Sequence, residues 1–337
     1  MRVGIVGAGL IGRLLAWRLS LAGWQVTLFD KDSKCGRRSA AYAAAGMLSP
    51  ISECETSSRV IFDLGMYSLQ QWTLWLDELS EPIFFQKRGT LVISHLEDTV
   101  EKERWIKQIR HKIQELYIHK LSLSEIRALE PELKNFQDGY FLPQEAHIDS
   151  RAILRALANK LTVDWHENQL VEKIVPHCIF VQKTPYSFDY VFDCRGIGGR
   201  DQFDDLRAVR GELIYLHAPD VHISRPVRLL HPRYRVYIVP RPNHIYLVGA
   251  SEIETEDTSP ISVRSCLELL SSAYSIHRGF AEARIIETVT ALRPALSDNL
   301  PRIRWKNGLV AINGLYRCGF LLAPALIDKI IKKMKEH

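Results

Sequence analysis

The first thirty residues combine two apolar runs with a glycine-rich turn between them. Arg2–Val6 (RVGIV) is a short apolar run typical of a fully buried parallel strand. GAGLIG follows at Gly7–Gly12, and the apolar residues after it recur at helical spacing. A second apolar run, Val26–Phe29, ends on the acid Asp30. The pattern therefore predicts one strand–helix–strand unit with a glycine turn after its first strand.

Apolar periodicity predicts further elements along the rest of the chain. Helices are expected at Arg59–Leu79, Asp98–Leu116, Ser122–Glu130, Ser150–Leu161, Ser262–Tyr274 and Phe320–Lys335. Strands are expected at Gly89–Ser94, Leu170–Ile174, Cys178–Gln182, Tyr190–Cys194, Glu212–His217, Arg235–Pro240, His244–Ala250, Thr288–Leu292 and Leu309–Asn313. Ser122 with Glu125 three residues later matches a capping box, and Ser150 is expected to cap its own helix.

The order of these elements predicts an α/β chain, α+β overall, with two domains. A Rossmann-like dinucleotide-binding domain would be assembled from residues 1–50, 140–200 and 286–337. An antiparallel-sheet substrate domain, residues 51–139 and 201–285, would be inserted between these pieces because residues 208–255 alternate like antiparallel strands. A chain of 337 residues is long enough for two such cores.

The glycines of the first turn have separate expected roles. Gly7 allows the tight turn, Gly9 lets the backbone approach a pyrophosphate, and Gly12 lets the helix pack against the sheet. The free N–H groups of the helix N-terminus favour the same anion. Asp30 stands where an acid receives the ribose hydroxyls of an adenosine. The alternative is a glycine turn with structural meaning alone, but the complete unit favours a bound dinucleotide.

Two later stretches of small residues also favour contact with a ligand. Ser39–Ala45 is alanine-rich and suits a backbone that lies close to something flat and large; the alternative is a helix packed on the sheet. The strand Tyr190–Cys194 runs into the glycine-rich turn 193–199, which would place bare backbone beside a ligand. The alternative there is a simple loop after a strand.

Composition narrows the classes of protein. Hydrophobic residues make up 46% and charged residues 25%, which is typical of a soluble globular protein, and the net charge of +5 is spread along the chain. The basic stretch Lys329–Lys335 ends the last helix, where cations favour the dipole, so no nucleic-acid partner is expected. The six cysteines form no CxxC pair and no metal-ligand spacing, so no metal site is expected. No apolar run is long enough for a membrane span, and a strand that starts at Arg2 leaves no room for a signal peptide; a cytoplasmic protein without a membrane partner is expected.

Four stretches in this order resemble one known family. They are VGIVGAGLIG at the start, AAAGMLSPISE at Ala43–Glu53, YIVPR at Tyr237–Arg241, and LRPALSDNLP followed by GLYRCGFLLAP at Gly314–Pro324. The sequence resembles the D-amino-acid oxidase family of flavoproteins, and most closely its glycine oxidases of thiamine biosynthesis. The resemblance runs nearly end to end and is loose between Phe84 and Glu145.

The resemblance implies that the dinucleotide is FAD, so that the first predicted domain is an FAD-binding domain. It implies that Asp30 lies at the adenosine ribose, the backbone near Val171 at the adenine and Ala44–Met47 along the isoalloxazine. Gly314–Leu321 would wrap the pyrimidine edge. Together with the glycine turns, the implied cofactor-binding residues are Gly7, Ala8, Gly9, Leu10, Ile11, Gly12, Asp30, Ala44, Ala45, Gly46, Met47, Val171, Cys194, Gly196, Gly314, Tyr316, Arg317, Gly319, Phe320 and Leu321.

The resemblance also implies the residues that handle the substrate. Arg293 would clamp the substrate carboxylate, Tyr237 would donate its hydroxyl to the same group, and Arg317 would lie close to the substrate at the flavin. Met47 would plug the pocket and restrict side-chain size. A guanidinium matches a carboxylate in a bidentate way that an ammonium cannot. Without the family pattern, an arginine before a proline is most often a surface residue, and a tyrosine before an apolar run most often belongs to the core.

The sequence departs from the family pattern at a few positions. Leu315 and Cys318 stand where glycine oxidases often have polar residues, and Ala41 stands where a serine near the flavin phosphates is usual. Ser39 is a candidate substitute for that serine. Arg304 follows Ile303 where a glycine is common. These departures bear on substrate preference and polar flavin contacts rather than on the fold.

The expected activity is oxidation of glycine, and of sarcosine or small D-amino acids, to the imino acid with O2 reduced to H2O2. Iminoacetate would supply the thiazole ring of thiamine. Two alternatives stay open: a D-amino-acid dehydrogenase that passes electrons to a quinone, and a non-catalytic FAD-binding partner subunit. The set of Tyr237, Arg293 and Arg317 argues against the second alternative. A homo-oligomer is compatible with the sequence, which does not determine the oligomeric state.

Overall fold

The structure of the chain is a computed structural model that describes residues 1–113, 117–233 and 235–336. Its α-helices are α1 (Leu10–Leu21), α2 (Pro50–Glu53), α3 (Arg59–Glu78), α4 (Thr99–Arg110), α5 (Leu123–Leu129), α6 (Ser150–Lys160), α7 (Val263–Ile276) and α8 (Gly319–Lys335). Its strands are β1 (Arg2–Val6), β2 (Gln25–Phe29), β3 (Met47–Leu48), β4 (Phe85–Gln86), β5 (Thr90–Ser94), β6 (His119–Ser122), β7 (Asp138–Leu142), β8 (Ala146–Ile148), β9 (Asp164–His166), β10 (Val171–Val175), β11 (Cys178–Val181), β12 (Thr184–Ser187), β13 (Tyr190–Asp193), β14 (Arg207–His217), β15 (Val227–Leu230), β16 (Arg235–Arg241), β17 (Ile245–Gly249), β18 (Ile253–Glu254), β19 (Arg284–Ala295), β20 (Arg302–Lys306) and β21 (Leu309–Asn313).

A six-stranded sheet in the order β20-β21-β13-β1-β2-β9 forms one half of the molecule. Its strands are parallel except for β20, which runs antiparallel to β21. The predicted Rossmann-like sheet is therefore confirmed. The carboxyl ends of β1, β2, β13 and β21 meet at one edge, which is where open parallel sheets bind ligands.

Both faces of this sheet are covered, as the apolar pattern of β1 requires. Successive side chains of a strand point to opposite faces. Val3 and Ile5 join the cluster formed with α1, α3, α6 and α8. Val6 joins a second cluster formed with the small antiparallel sheet β10-β11-β12, in which Ile179 and Phe188 are buried. The sheet is thus a central layer with helices on one side and a β-meander on the other.

A second, nine-stranded sheet has the order β18-β14-β17-β16-β15-β5-β7-β6, with β19 paired to β14. Its pairs are antiparallel except β15 with β5. This sheet confirms the predicted antiparallel part of the fold. One face packs against α5 and α7 through a core that includes Ile214, Ile238 and Leu269. On the opposite face, Val92 and Tyr140 pack against α4, whereas Leu213 and Tyr237 line the cavity described below.

Two strands of the larger sheet lie within residue ranges that the sequence analysis assigns to the FAD-binding domain. β7 and β19 pair within the larger sheet, whereas the sequence prediction assigned residues 140–200 and 286–337 to the FAD-binding part. β19 is one long strand, Arg284–Ala295, that pairs with β14 from Arg207 to His217. The division of the chain into two domains stays a prediction.

Most predicted elements are present within a few residues, with two corrections. The helix predicted at Asp98–Leu116 begins at Thr99 and ends at Arg110; residues 114–116 lie outside the described residues. The serine cap predicted at Ser150 is wrong, because Asp149 accepts the backbone N–H groups of the first turn. Ser150 instead donates its hydroxyl to the Ala44 carbonyl at 2.7 Å. The capping box of Ser122 and Glu125 is confirmed.

The structure excludes one of the two interpretations of the alanine-rich stretch. Residues 39–45 contain no helix, and residues 40–43 form turns, so the alternative of a helix packed on the sheet is wrong. Gly46 adopts φ +69°, and a Cβ at this position would lie 1.9 Å from the Ile148 carbonyl oxygen. The stretch therefore approaches β8 too closely for a helix to continue through it. Among the helices of the described residues, none is long and apolar enough to span a membrane.

Candidate active site

One cavity of about 1240 Å³ lies between the two sheets. It is lined by the segments that follow the parallel strands and by residues of the larger sheet that include Leu213 and Tyr237. Most predicted site residues lie in its wall: Gly7, Ala8, Gly9, Leu10, Ile11, Asp30, Ala44, Ala45, Gly46, Met47, Cys194, Gly196, Tyr237, Arg293, Tyr316, Arg317, Gly319, Phe320 and Leu321. Gly12, Val171 and Gly314 do not line it. Val171 is buried in the cluster between the parallel sheet and the β-meander. The cavity is larger than an ordinary small-molecule pocket and has room for an extended ligand.

The glycine turn after β1 has the close backbone contacts that the sequence predicts. Gly7 adopts φ +100°, and a Cβ there would lie 2.4 Å from the Cys194 carbonyl oxygen. A Cβ at Gly12 would lie 1.8 Å from the Gly7 carbonyl oxygen. At Gly9 the nearest neighbour of an added Cβ is Ser39 Cβ at 3.8 Å, so the backbone is open toward the cavity. The geometry agrees with a tight turn and close helix packing; contact of Gly9 with a pyrophosphate stays a prediction.

A buried arginine that the sequence analysis missed holds this turn to the segment after β2. Arg13, in the first turn of α1, donates to the carbonyls of Ala8 at 2.6 Å, Leu154 at 2.6 Å and Lys34 at 2.8 Å. Burial lowers its pKa, and the charge of Asp30 opposes that effect. Asp30 accepts the backbone N–H of Ala8. A charged residue inside an otherwise apolar first turn was the available sequence signal.

A second buried arginine supports the segment that carries Met47. Arg241, the last residue of the YIVPR motif, donates to the carbonyls of Ala45 at 2.5 Å and Ile148 at 2.7 Å. Its other terminal nitrogen donates to Nδ1 of His147 at 3.0 Å, so His147 is neutral with its proton on Nε2. Burial lowers the pKa of Arg241 to about 10 and that of His147 to about 3. Arg241 therefore positions the backbone beside Met47, His147 accepts a hydrogen bond from Arg241, and neither residue lines the cavity.

Strand register places the predicted carboxylate-binding residues on one face of the larger sheet. Tyr237 pairs with Gly249, Gly249 with Leu213, and Arg293 with Val209, two residues before Gly211. Paired residues of neighbouring strands, and residues two apart on one strand, share a face. The two glycines of this face leave the space that the long side chains of Tyr237 and Arg293 occupy. An added Cβ would lie 2.3 Å from Arg293 Nη2 at Gly211 and 3.0 Å from the Tyr237 hydroxyl at Gly249.

Arg293 and Tyr237 keep hydrogen-bonding capacity toward the cavity. The contact found for the Arg293 guanidinium is one donation to the Ser251 carbonyl at 3.0 Å, which leaves further N–H groups. Burial raises the pKa of Tyr237, although the nearby charge of Arg293 lowers it in part. Tyr237 is therefore a neutral hydroxyl donor at neutral pH. The pair can hold a carboxylate with a guanidinium and a phenol.

The Arg317 guanidinium donates hydrogen bonds to three side chains of the protein. Its Nε donates to Glu53 at 2.6 Å, one Nη to Thr56 at 2.6 Å and the other to Glu252 at 3.3 Å. Burial opposes its charge, but Glu53 and Glu252 raise its pKa above the ordinary value. Burial alone would raise the pKa of Glu53, whereas Arg317 and Arg228 hold it below its ordinary value. The structure thus places Arg317 in the cavity wall as one half of a buried ion pair.

Glu53 and Glu252 are site residues that the sequence analysis did not identify. Glu53 ends the AAAGMLSPISE motif, and Glu252 also accepts the hydroxyl of Tyr316. Of the departures from the family pattern, Leu315 and Cys318 are buried, and Cys318 Sγ lies 3.6 Å from the Glu53 carboxylate. Ser39 donates its hydroxyl to the Gly36 carbonyl at 2.8 Å, and both Ser39 and Ala41 line the cavity. Arg304 donates to the Gln202 carbonyl.

Comparison with known proteins identifies a family and several similar proteins. The family profile of FAD dependent oxidoreductases, DAO, matches residues 2–331. A protein of Rhizobium etli named as the thiamine biosynthesis oxidoreductase ThiO is 38% identical over 335 residues, which are 99% of this chain and 96% of that protein. The glycine oxidase of Bacillus licheniformis is 24% identical over 342 residues, 95% of this chain and 89% of its own. The crystal structure of glycine oxidase from Bacillus cereus has the same fold, with a TM-score of 0.84 at 23% identity over 97% of this chain and 95% of that one.

Proposed function

This chain belongs to the family of FAD dependent oxidoreductases, and we propose that it oxidises glycine, together with sarcosine or small D-amino acids, to the imino acid. The amino acid loses two electrons and two hydrogens from its nitrogen and Cα, and O2 takes them up as H2O2. Iminoacetate would then supply the thiazole ring of thiamine. The observation that carries the proposal is that Arg293 and Tyr237 line the same cavity as the glycine turn and lie on one face of the larger sheet.

The residues that line the cavity fit FAD. The turn at Gly7 and Gly12 leaves no room for a Cβ, which is the cradle that a pyrophosphate-binding turn needs. Asp30 stands at the end of β2, where the adenosine ribose would bind. Bound FAD would supply the two-electron acceptor and the reaction with O2. The N-terminus of α8, at Gly319, favours negative charge at the other end of the same cavity.

The chain's own residues bind and orient the amino acid. The Arg293 guanidinium receives the substrate carboxylate in a bidentate way, and the neutral Tyr237 hydroxyl donates a third hydrogen bond. Holding the carboxylate at two points orients Cα, which lowers the entropic part of the activation barrier. Arg317 and Glu53 build the wall beside this position. No general base is needed when the amine binds in its neutral form.

Met47 in the cavity wall limits the size of the substrate side chain. Met47 lines the cavity on β3, and β3 is held through β8, Arg241 and Ala45. A side chain fixed in this way leaves little freedom for a large substituent on Cα. We therefore expect turnover to fall as the side chain of the amino acid grows. Faster turnover of D-phenylalanine or D-arginine than of glycine would instead indicate a broad D-amino-acid oxidase.

The same proposal includes the cellular location, the partners and the assembly of the enzyme. A cytoplasmic location agrees with a role in cofactor biosynthesis. The partners are the small amino acid and O2, and assembly into a homo-oligomer is a further proposal, tested by the mass of the protein in solution.

The test is a substrate screen with two readouts on the purified protein. Glycine should yield H2O2, and an extract of the denatured protein should contain FAD and no NAD or FMN. Turnover with a dye in the absence of peroxide would favour the dehydrogenase alternative. FAD bound without turnover of any amino acid would favour the non-catalytic alternative.

Variants of the carboxylate site make the test specific. Removing one partner of a buried charge pair costs roughly 2–5 kcal/mol, so Arg293→Ala should lower kcat/KM for glycine about thirty- to several-thousandfold. Arg293→Lys should recover part of this loss, because an ammonium lacks the planar fork. Tyr237→Phe should cost less, since the ring remains. FAD content is the control, and near-native kcat/KM in Arg293→Ala would place the carboxylate elsewhere in the cavity.

A further inference from the structure

Arg228 is a buried arginine in the cavity wall that lowers the pKa of Glu53 and that none of the steps above brings into contact with the substrate. It lies in the middle of β15, between apolar neighbours, and is 5% exposed. Arg228 pairs with Tyr237 on β16, so both side chains leave the sheet on the same face. It lines the same cavity as Tyr237 and Arg293. Tyr237 therefore has a guanidinium in the next strand on one side and Arg293 on the other.

Arg228 lies near the carboxylates of Glu53, Glu55 and Glu145. Glu145 accepts hydrogen bonds from Ser52, and the other two carboxylates are matched more closely by other arginines. Glu53 lies 2.6 Å from Arg317, and Glu55 lies 2.9 Å from Arg235. The contact of Arg228 with Glu55 is longer, at 3.4 Å from Nη2. Arg228 Nε is buried and has no hydrogen-bond partner among the described residues. That nitrogen has no surface open to the cavity, but the Arg228 side chain lines the cavity, and among the described residues its contact with a carboxylate runs through Nη2. The other terminal nitrogen is left to donate to an anion in the cavity.

We propose that Arg228 forms a second carboxylate subsite, and that the cavity accepts amino acids that carry a second carboxylate besides the one bound by Arg293. This inference rests on the proposed amino-acid oxidation and deepens it by naming a substrate class. The second carboxylate can be attached to Cα, as in D-aspartate, or through the nitrogen, as in iminodiacetate. Both place an anion a few bonds beyond the α-carboxylate, on the Tyr237 side away from Arg293.

The first experiment needs no variant, because neutral isosteres of both substrates exist. Initial rates of H2O2 formation are compared for D-aspartate against D-asparagine, and for iminodiacetate against its monoamide. A hydrogen bond to a charged group contributes enough to change kcat/KM about ten- to a hundredfold in favour of the diacid. Preference in the first pair places the anion on Cα, and preference in the second places it on nitrogen. Equal kcat/KM within both pairs overturns the proposal.

The second experiment assigns the preference to Arg228. Arg228→Gln should lower kcat/KM more for the diacids than for their neutral isosteres, so that the preference is lost, and Arg228→Lys should retain part of the preference. Arg233→Gln is the matched control, since Arg233 is an exposed arginine that lines the same cavity. A preference that survives in Arg228→Gln, or that is lost equally in Arg233→Gln, overturns the proposal. An equal loss for diacid and isostere in Arg228→Gln also overturns it, because it indicates a purely structural role beside Glu53.

A binding measurement keeps the inference testable apart from turnover. Titration of the wild-type holoenzyme with succinate and with succinamate, followed by flavin absorbance, should give a Kd about ten- to a hundredfold lower for succinate. Equal dissociation constants overturn the subsite even if Arg228→Gln does not fold. Tighter binding of succinate with no oxidation of glycine would overturn the proposed function and support the subsite. Oxidation of glycine with no diacid preference would do the reverse.

Discussion

Gly211→Ala tests the carboxylate site by displacing Arg293 without replacing it. The added Cβ would lie 2.3 Å from Nη2 and 2.4 Å from Cζ of Arg293. Ordinary van der Waals contact begins at 3.4 Å, so the guanidinium must retreat by about 1 Å. The end of an arginine side chain is flexible and can make this movement. The backbone of β14 is extended at this position, where alanine is at least as stable as glycine.

The expected loss follows from that displacement. A misplacement of about 1 Å in a substrate-positioning group can lower the rate about a hundredfold. Arg293 also donates to the Ser251 carbonyl at 3.0 Å, and a movement of 1 Å away from that oxygen breaks this bond. We expect kcat/KM for glycine to fall about ten- to a hundredfold in Gly211→Ala. The loss should be smaller than in Arg293→Ala, where the guanidinium is absent.

The assay is steady-state H2O2 formation from glycine, with flavin absorbance as the measure of FAD loading. A double-mutant cycle shows whether the methyl group acts through Arg293. In the Arg293→Ala background the methyl group meets no guanidinium, so Gly211→Ala should add little further loss. An equal loss in both backgrounds would mean that the methyl group acts on the cofactor or on β14 instead. Near-native kcat/KM in the single variant would refute the placement of Arg293 over Gly211.

Three further predictions concern the parts of the site around this pair. Glu53→Gln should lower kcat/KM for glycine about tenfold or more, because Arg317 loses a carboxylate at 2.6 Å; unchanged kinetics would show that the orientation of Arg317 is unimportant. His147 has a pKa of about 3 in the folded chain and ~6.5 when unfolded, so the unfolded state binds the extra proton as pH falls from 6.5 to 3. The free energy of unfolding should therefore fall with decreasing pH across that range, by up to about 1.4 kcal/mol per pH unit, and urea unfolding of His147→Gln should lack this contribution. Gly12→Val would bring a side chain onto the Gly7 carbonyl, so the folded protein should carry less FAD per chain; wild-type FAD content would contradict the cradle.

Local chemistry in the sequence determined the elements that need no distant partner. The apolar run at Arg2–Val6, the glycine turn and the acid at Asp30 form the predicted unit because each depends on backbone conformation and strand pattern within thirty residues. The capping box at Ser122 and Glu125 formed for the same reason. Ser150 failed as a cap, because the neighbouring Asp149 carries the stronger acceptor and the Ser150 hydroxyl found the Ala44 carbonyl.

The tertiary structure alone decided which side chains meet in the cavity. Arg317 and Glu53 are 264 residues apart along the chain, and their ion pair depends on α2 and α8 reaching the same cavity edge. Arg228 stands beside Tyr237 because β15 pairs with β16 in one register; a shift by one residue would turn Arg228 to the opposite face. Periodicity along one strand shows which residues share a face. It carries no information on which strand lies next, since pairing and register arise from packing across the whole sheet.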